Sequence, residues 1–365
     1  MIGGMMAVRV FLQMICSCID FSICKAYSSD RARGVSPRKD EDGTGMRISR
    51  RAVVGMLGLA LLAPAPKVRA SEALRVVATT GMIADAARQV GGSHVEVRAL
   101  MGPGVDPHAY RQTRTDIVAM TRAELVLRHG LYLEAQMEDF FEDLQDHVPV
   151  AAVAEVIPLD RLLAHPTYAD KLDPHVWMDP AMWTDVVVAV RDALAGLRPE
   201  LAEEFAVNAA AHLEEVAELE TYARTVLATV PADHRVLLTA HDAFAYFGRA
   251  YGFEVVGIQG ISTESEAGLA RVADLVDVLV DRGIGAVFIE TSVSDRNIRA
   301  LIEGAQSVGH PVRIGGELYS DAMGPEGTYE GSYIGMIDHN VTVIAQALGG
   351  VAPERGMSNS LRAGS

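Results

Sequence analysis

Cysteine is nearly absent from this 365-residue chain, and its position limits the chemistry available. All three cysteines, Cys16, Cys18 and Cys24, lie near the start. From Ser71 onward there is none, which excludes a disulfide, a cysteine-based zinc site and a thiol nucleophile in that part. Any metal bound there must be held by histidine, aspartate or glutamate.

Basic residues are scarce after the first 70 positions. The whole chain has 32 Lys and Arg against 48 Asp and Glu; the first 70 residues hold 11 and 5 of them, which leaves 21 against 43, a net charge of −22. Such an acidic chain is a poor nucleic-acid binder, so nucleic acid is not an expected partner. The negative charge is compatible with a protein that binds cations, although a general effect on solubility explains it equally well.

Several catalytic motifs are missing as well. The chain has no His-Glu-x-x-His pair of a metalloprotease helix, no Gly-x-Ser-x-Gly elbow and no Walker-type phosphate loop. Aromatic residues make up only 6% of the chain. Four of them are predicted to pack in the core rather than to stack on nucleotides: Trp177, Phe244, Tyr246 and Phe247.

The first 70 residues are predicted to be absent from the working protein. Residues 46–70 run from a basic start through an apolar stretch at 52–63 to Val-Arg-Ala, the order typical of an export signal. The apolar stretch is too short to span a bilayer. Arg50-Arg51 partly matches a twin-arginine signal, and Sec export fits equally. Residues 1–45 are interpreted as an extension upstream of a true start at Met46.

Short apolar runs alternate with helical patterns on both sides of one long helical segment. Residues 71–198 and 231–350 each predict a parallel sheet covered by helices. Between them, residues 199–230 are rich in Ala, Glu and Leu, with no internal Gly or Pro, and predict one linking helix. Residues 351–365 are predicted to be a disordered tail. The sequence therefore predicts an α/β protein of two lobes joined by a long helix.

Two local signals predict where helices begin. Asp179-Pro180 places a capping residue directly before a proline at the first helical position. Thr115 is a candidate N-cap for the helix that follows it.

Three histidines share a sequence context. His108 and His175 each follow Asp-Pro, and His241 follows the predicted strand RVLLTA. All three are predicted to lie at strand tips, in connections between a strand and a helix. Proline restricts the backbone around it, and ligands bind at the carboxyl edge of parallel sheets. Asp321, in the loop after PVRIGG, is a fourth candidate. If the lobes face each other, the four side chains can meet in the cleft around one metal; from spacing alone, surface or helix-capping histidines explain the pattern equally well.

Five segments resemble, in chain order across residues 72–350, the zinc/manganese class of periplasmic solute-binding proteins of ABC transporters: GVDPHAY, DPHVWMDP, TAHDAFAYFGRAYG, GISTESEAG and YSDAMGPEGTYEGSYIGMIDHN. The resemblance implies two Rossmann-like parallel-sheet lobes joined by a single long backbone helix, with one divalent metal in the interlobe cleft. It implies delivery of that metal to a permease in the inner membrane. The family's metal ligands fall on His108, His175, His241 and Asp321.

The resemblance leaves the metal open. Three imidazoles and one carboxylate favour Zn²⁺, whereas a bidentate Asp321 would admit Mn²⁺, with iron less favoured. In the family, a glutamate at the third ligand position is associated with manganese, and this chain has His241 there. The long histidine-rich loop of many zinc members is missing, since residues 144–173 hold only His147 and His165.

Location and class follow from the same resemblance. No cysteine stands at the predicted cleavage point, so a lipid anchor is not expected. The expected protein is a free periplasmic monomer of a Gram-negative cell. Four protein ligands leave no position for a reactive water, so an enzyme is not expected. A metallohydrolase would need a base near the metal, for which Glu290 and Glu317 are candidates. An adhesin is a third class, which the low aromatic content does not favour.

Overall fold

The computed structural model describes residues 73–362, apart from positions 167, 169 and 266. The predicted extension and export signal, residues 1–70, lie outside the described residues. Within the described part of the chain, no helix is long and apolar enough to cross a membrane.

The first lobe is built on a four-stranded parallel sheet in the order β2-β1-β3-β4. The strands are β1 Leu74–Ala78, β2 Val95–Ala99, β3 Leu125–Arg128 and β4 Val150–Ala152. Strand β1 is buried at all but one position, as expected for a central parallel strand with both faces covered. The helices of this lobe are α1 Gly81–Gly91, α2 Arg114–Arg122, α3 Glu138–Leu144 and α4 Pro180–Leu197.

The second lobe contains two pairs of parallel strands. Strand β5 (Val236–Thr239) pairs with β6 (Glu254–Gly257), and β7 (Ala286–Glu290) pairs with β8 (Arg313–Leu318). Strands β5 and β7 lie side by side. The helices that follow the linking helix are α6 Ala245–Tyr251, α7 Leu269–Asp281, α8 Arg296–Ser307 and α9 Tyr333–Ala347. The predicted α/β class with parallel strands is confirmed.

A long helix, α5 (Ala202–Leu227), connects the lobes and follows a short 3₁₀ turn at Pro199–Leu201. It packs on α1 and α4 of the first lobe and on α9 of the second. Its buried side chains recur every three or four residues and so form one stripe: Phe205, Ala209, His212, Val216, Leu219, Ala223 and Val226. The helix is therefore held along its length by both lobes.

One hydrophobic cluster runs from the first lobe into the second. At its centre Trp183 of α4 stacks on Tyr333 of α9, with ring centroids 5.0 Å apart and planes 18° from parallel. Both side chains are fully buried. The backbone N–H of Tyr333 donates to Asp85 of α1 at 2.8 Å. Because the lobes share a packed core, we expect them to move little relative to each other.

The predicted disordered tail is wrong for residues 351–362, which lie against α9. Asp338 of α9 is fully buried and accepts a hydrogen bond from the backbone N–H of Met357 at 2.9 Å. The side chain of Leu361 is only 1% exposed. A buried carboxylate requires hydrogen-bond donors, and the backbone of this segment supplies one.

The two predicted helix starts have different outcomes. Asp179 caps α4, since its side chain accepts the N–H of Ala181 at 3.0 Å and Pro180 occupies the first helical position. Helix α2, however, is capped by Thr113 and not by Thr115. Thr113 and Asp116 form a capping box, in which each side chain accepts a backbone N–H of the other residue.

Candidate metal centre

The four predicted side chains meet at the interface of the two lobes. Their ligand atoms all lie within 4.8 Å of one another. His108 Nε2 is 3.2 Å from His175 Nε2, and His175 Nε2 is 3.4 Å from Asp321 Oδ1. His241 Nε2 is 3.1 Å from Asp321 Oδ2. No side chain of the four is more than 5% exposed.

Both Asp-Pro-His segments form the same turn. Asp106 Oδ1 accepts the backbone N–H of His108 at 2.8 Å, and Asp173 Oδ1 accepts that of His175 at 2.9 Å. In each case the aspartate oxygen replaces a turn carbonyl two residues before the histidine. The aspartate therefore fixes the histidine together with the proline, whereas the sequence pattern predicts this role for proline alone.

His241 and Asp321 lie just beyond the carboxyl ends of strands, and His108 lies in the loop that follows one. His108 follows β2, His241 follows β5 and Asp321 follows β8. His175 does not lie at a strand tip, because it comes well after β4 and immediately before a 3₁₀ turn that leads into α4. The strand-tip prediction is therefore wrong for His175, and the Asp173 turn positions it instead.

Two of the imidazoles carry a carboxylate on the nitrogen that faces away from the cluster. His175 Nδ1 is 2.7 Å from Asp173 Oδ1, and His241 Nδ1 is 2.5 Å from Glu290 Oε2. A proton held on Nδ1 leaves Nε2 directed at the centre of the cluster, the arrangement usual for metal-bound histidines.

The sequence indicates Glu290 only as a candidate base of a possible hydrolase. Both of its oxygens are engaged by His241, since Oε1 also accepts the His241 backbone N–H at 2.9 Å. Glu317, the other candidate base, is exposed. The signal that identifies Glu290 is its place at the end of β7 beside β5, which the sequence alone does not give.

Three buried atoms of the cluster, His241 Nε2 and both carboxylate oxygens of Asp321, make no well-formed hydrogen bond, and their polar contacts are with each other and with His175. A buried polar atom left without a partner costs about 1–3 kcal/mol. Imidazole nitrogens and carboxylate oxygens that converge on one point are the ligand set of a divalent cation such as Zn²⁺. The residues present therefore fit a metal ion.

Burial and the neighbouring carboxylates set opposite charge states on two of the histidines. Burial lowers the pKa of His108 to about 3, so its imidazole is neutral and can accept a hydrogen bond. Burial acts in the same direction on His175, but Asp173 and Asp321 outweigh it and raise the pKa of His175 to about 9. His175 therefore carries a proton on Nε2 at neutral pH when no metal is bound.

His241 and Asp321 form a buried ion pair. Burial opposes the charge on His241, but Asp321 and Glu290 outweigh it and raise the pKa of His241 well above its usual range. Burial likewise favours a neutral Asp321, but His241 and His175 outweigh it and hold the pKa of Asp321 well below its usual range. Protons thus occupy two of the nitrogens that a metal would take.

Trp177 packs against His175, and His129 packs against Trp177. The Trp177 ring lies edge-on to His175 and to His129, with centroid distances of 5.2 and 5.0 Å. His129 Nε2 donates to the carbonyl of Pro174 at 2.7 Å. Trp177 and the other aromatic residues flagged in the sequence, Phe244, Tyr246 and Phe247, are buried, as expected for packing residues.

Known proteins with similar sequences bind metals. Manganese-binding lipoprotein MntA of Bacillus subtilis (strain 168) is 47% identical over 280 residues, which cover 76% of this chain and 91% of that protein. Zinc-binding protein TroA of Treponema pallidum (strain Nichols) is 45% identical over 273 residues, covering 75% and 88%. Iron-binding protein YfeA of Yersinia pestis is 31% identical over 277 residues, covering 75% and 86%.

The solved structure of the periplasmic zinc binding protein TroA from Treponema pallidum matches this fold with a TM-score of 0.74 and 44% identity. It covers 76% of this chain and 99% of that one. One expectation meets a contrary finding, since MntA is named a lipoprotein whereas no lipid anchor is expected here.

A family model described as ZnuA, zinc-uptake complex component A periplasmic, matches residues 76–347. Its members are metal-binding components of ABC transporters and not enzymes. With that match and relatives at 47% and 45% identity, this chain belongs to the zinc-uptake complex component A periplasmic family.

Proposed function

We propose that this chain captures zinc with His108, His175, His241 and Asp321 and delivers it, as a monomer, to the permease of an ABC importer. The observation that carries the proposal is the convergence of these four buried groups, whose ligand atoms lie within 4.8 Å of one another. Four protein ligands complete a tetrahedral zinc site and leave no position for a reactive water. The site is therefore suited to capture and not to catalysis.

Manganese is the second candidate, and one feature of the site favours it. Both oxygens of Asp321 are turned toward imidazoles and make no well-formed hydrogen bond. A bidentate Asp321 would give five ligand atoms, which suits a larger ion than tetrahedral Zn²⁺. MntA is named for manganese and YfeA for iron. Zinc remains our choice because nitrogen-rich sites bind zinc more tightly than manganese or ferrous iron.

The metal is identified by elemental analysis of the protein purified from its own cells, followed by competition titration. We expect zinc in the purified protein, and we expect zinc to displace manganese when both ions are present at equal concentration. Protein that retains manganese under equal competition would reassign the cargo. Protein that binds neither ion would overturn the proposed function.

Zinc binding should release protons. Because His175, with a pKa of about 9, and His241, with a pKa raised well above its usual range, are protonated in the metal-free cluster, the ion must displace about two protons at pH 7. Zinc affinity should therefore rise with pH from 6 toward 9 and fall as the solution is acidified.

Calorimetry in buffers of different ionisation enthalpy measures the number of protons released. Asp173→Asn provides the comparison, since it removes a carboxylate that raises the pKa of His175 and should reduce the release. Binding without proton release would contradict the assigned charge states.

Glu290→Gln should weaken zinc binding by roughly 10–100-fold, the usual effect of removing a carboxylate that orients a metal-bound histidine. The variant retains the size of the side chain but removes the charge that polarises the His241 ring. Glu317→Gln is the matched control, because it makes the same chemical change at an exposed strand-end carboxylate. Competition with a fluorescent chelator gives both affinities, and equal losses in the two variants would refute a specific role for Glu290.

A further inference from the structure

The two Asp-Pro-His turns differ in what their aspartates bind beyond the backbone. Asp173 uses Oδ1 for both the backbone N–H and the ring of His175, and its Oδ2 is buried without a partner. Asp106 uses Oδ1 for the backbone N–H of His108, and its Oδ2 accepts a hydrogen bond from the Thr263 hydroxyl. Thr263 belongs to the second lobe. Asp106 therefore joins a ligand-bearing turn of one lobe to a loop of the other.

A second hydrogen bond ties the same loop to the first lobe. Gln136 Nε2 donates to Glu264 Oε1 at 2.7 Å in an exposed position. Thr263 and Glu264 are consecutive, so residues 261–265 are attached to the first lobe at two points. One attachment reaches the turn that holds His108, and the other is an exposed side-chain pair outside that turn.

A cavity of about 450 Å³ lies between this loop and the first lobe. Ile261, Ser262, Glu264 and Ser265 line it on one side. His108 is the one proposed ligand in its wall. Of the four proposed ligands, His108 is therefore the one that this cavity reaches, beside residues 261–265.

We infer that Thr263 and Asp106 form an interlobe latch that sets the rate at which bound metal leaves, an inference that rests on the proposed function. While the hydroxyl bonds to Asp106, the His108 turn is fixed and the loop stays against the cavity. When the bond breaks, the turn loses its tie to the second lobe and the cavity beside His108 widens. Both are positioning residues, since neither belongs to the proposed ligand set.

The test is the dissociation rate of zinc from the purified protein, measured by stopped-flow mixing with excess chelator. Thr263→Val removes the hydroxyl at nearly constant volume and should raise the rate roughly tenfold or more, the effect of losing a hydrogen bond to a charged group. Thr263→Ser should restore the rate of the unmodified protein. Gln136→Leu breaks the surface attachment of the same loop and should change the rate less than about twofold, because this exposed bond touches no ligand-bearing turn.

A second variant tests the same hydrogen bond in case Thr263→Val does not fold. Asp106→Asn keeps an oxygen for the His108 turn but removes the charge that strengthens the bond to Thr263. It should also raise the dissociation rate, and adding Thr263→Val to it should raise the rate little further, since both changes remove one interaction.

Several results would overturn the latch. One is a zinc dissociation rate that is unchanged in Thr263→Val or raised equally in Gln136→Leu. Another is failure of Thr263→Ser to restore the dissociation rate. A third is that the Asp106 and Thr263 changes raise the dissociation rate independently of each other. Failure of the proposed function looks different, because the unmodified protein would then show no zinc binding to release.

Discussion

Asp321→Asn is expected to weaken zinc binding by roughly a hundredfold to a few thousandfold. Asp321 is the one anion among the four proposed ligands, and it is 2% exposed. Removing one partner of a buried charge pair costs about 3–5 kcal/mol, which corresponds to that loss of affinity. Asparagine retains the size of the side chain, so the loss should report charge and not a change in packing.

Asp179→Asn is the matched control for this change. Asp179 is also buried, at 7% exposure, and it caps α4, a position where asparagine serves as well as aspartate. We expect its zinc affinity to equal that of the unmodified protein. Isothermal titration with a competing chelator measures both variants. If Asp321→Asn binds zinc within about threefold of the unmodified protein, a change worth less than 1 kcal/mol, the proposed site is wrong.

Trp177→Ala is expected to lower the free energy of unfolding by about 3–5 kcal/mol, the usual cost of removing a fully buried large aromatic side chain. The indole is fully buried between His129 and His175. Its Nε1–H donates to the carbonyl of Ser320 at 2.7 Å, across the lobe interface and next to Asp321. Alanine would leave a cavity at the metal site and a buried carbonyl without its donor.

Denaturant unfolding of the zinc-free protein measures this loss. Trp177→Phe keeps most of the packing but removes the hydrogen bond, so it should cost about 1 kcal/mol for that bond plus the smaller volume change. Tyr168→Ala removes an aromatic ring that is 59% exposed and should cost well under 1 kcal/mol. A Trp177→Ala protein as stable as Tyr168→Ala would show that the indole is not part of the interlobe packing.

Much of the fold could be predicted because its elements have strong local signals. The alternation of apolar runs and helices predicts parallel strands, and the uninterrupted Ala, Glu and Leu segment predicts α5. The predictions are wrong where a tertiary contact decides the structure. Residues 351–362 have no periodicity, and their order depends on the buried Asp338 of α9. Thr113 and Thr115 are both possible caps by residue type, and the Asp116 side chain selects Thr113.

The candidate site could likewise be predicted where the signal is local and not where a tertiary contact decides. His108, His241 and Asp321 follow strands, so the sequence could place them at the carboxyl edge of the sheets. The carboxylate on His241 could not be assigned, because Glu290 is 49 residues away and reaches it only through the neighbouring positions of β5 and β7. Asp106 and Asp173 could have been assigned from sequence, since an aspartate two residues before a backbone donor is a common turn signal.

The shared aromatic core between the lobes has a thermodynamic consequence for metal loading. Trp183 and Tyr333 are already fully buried in a single cluster that both lobes share, so zinc binding has little apolar surface left to bury. The heat-capacity change of binding should therefore be small, and the radius of gyration should be nearly the same for the empty and the loaded protein. A permease that distinguishes these two forms would have to recognise a local difference near the cleft and not a change in overall shape.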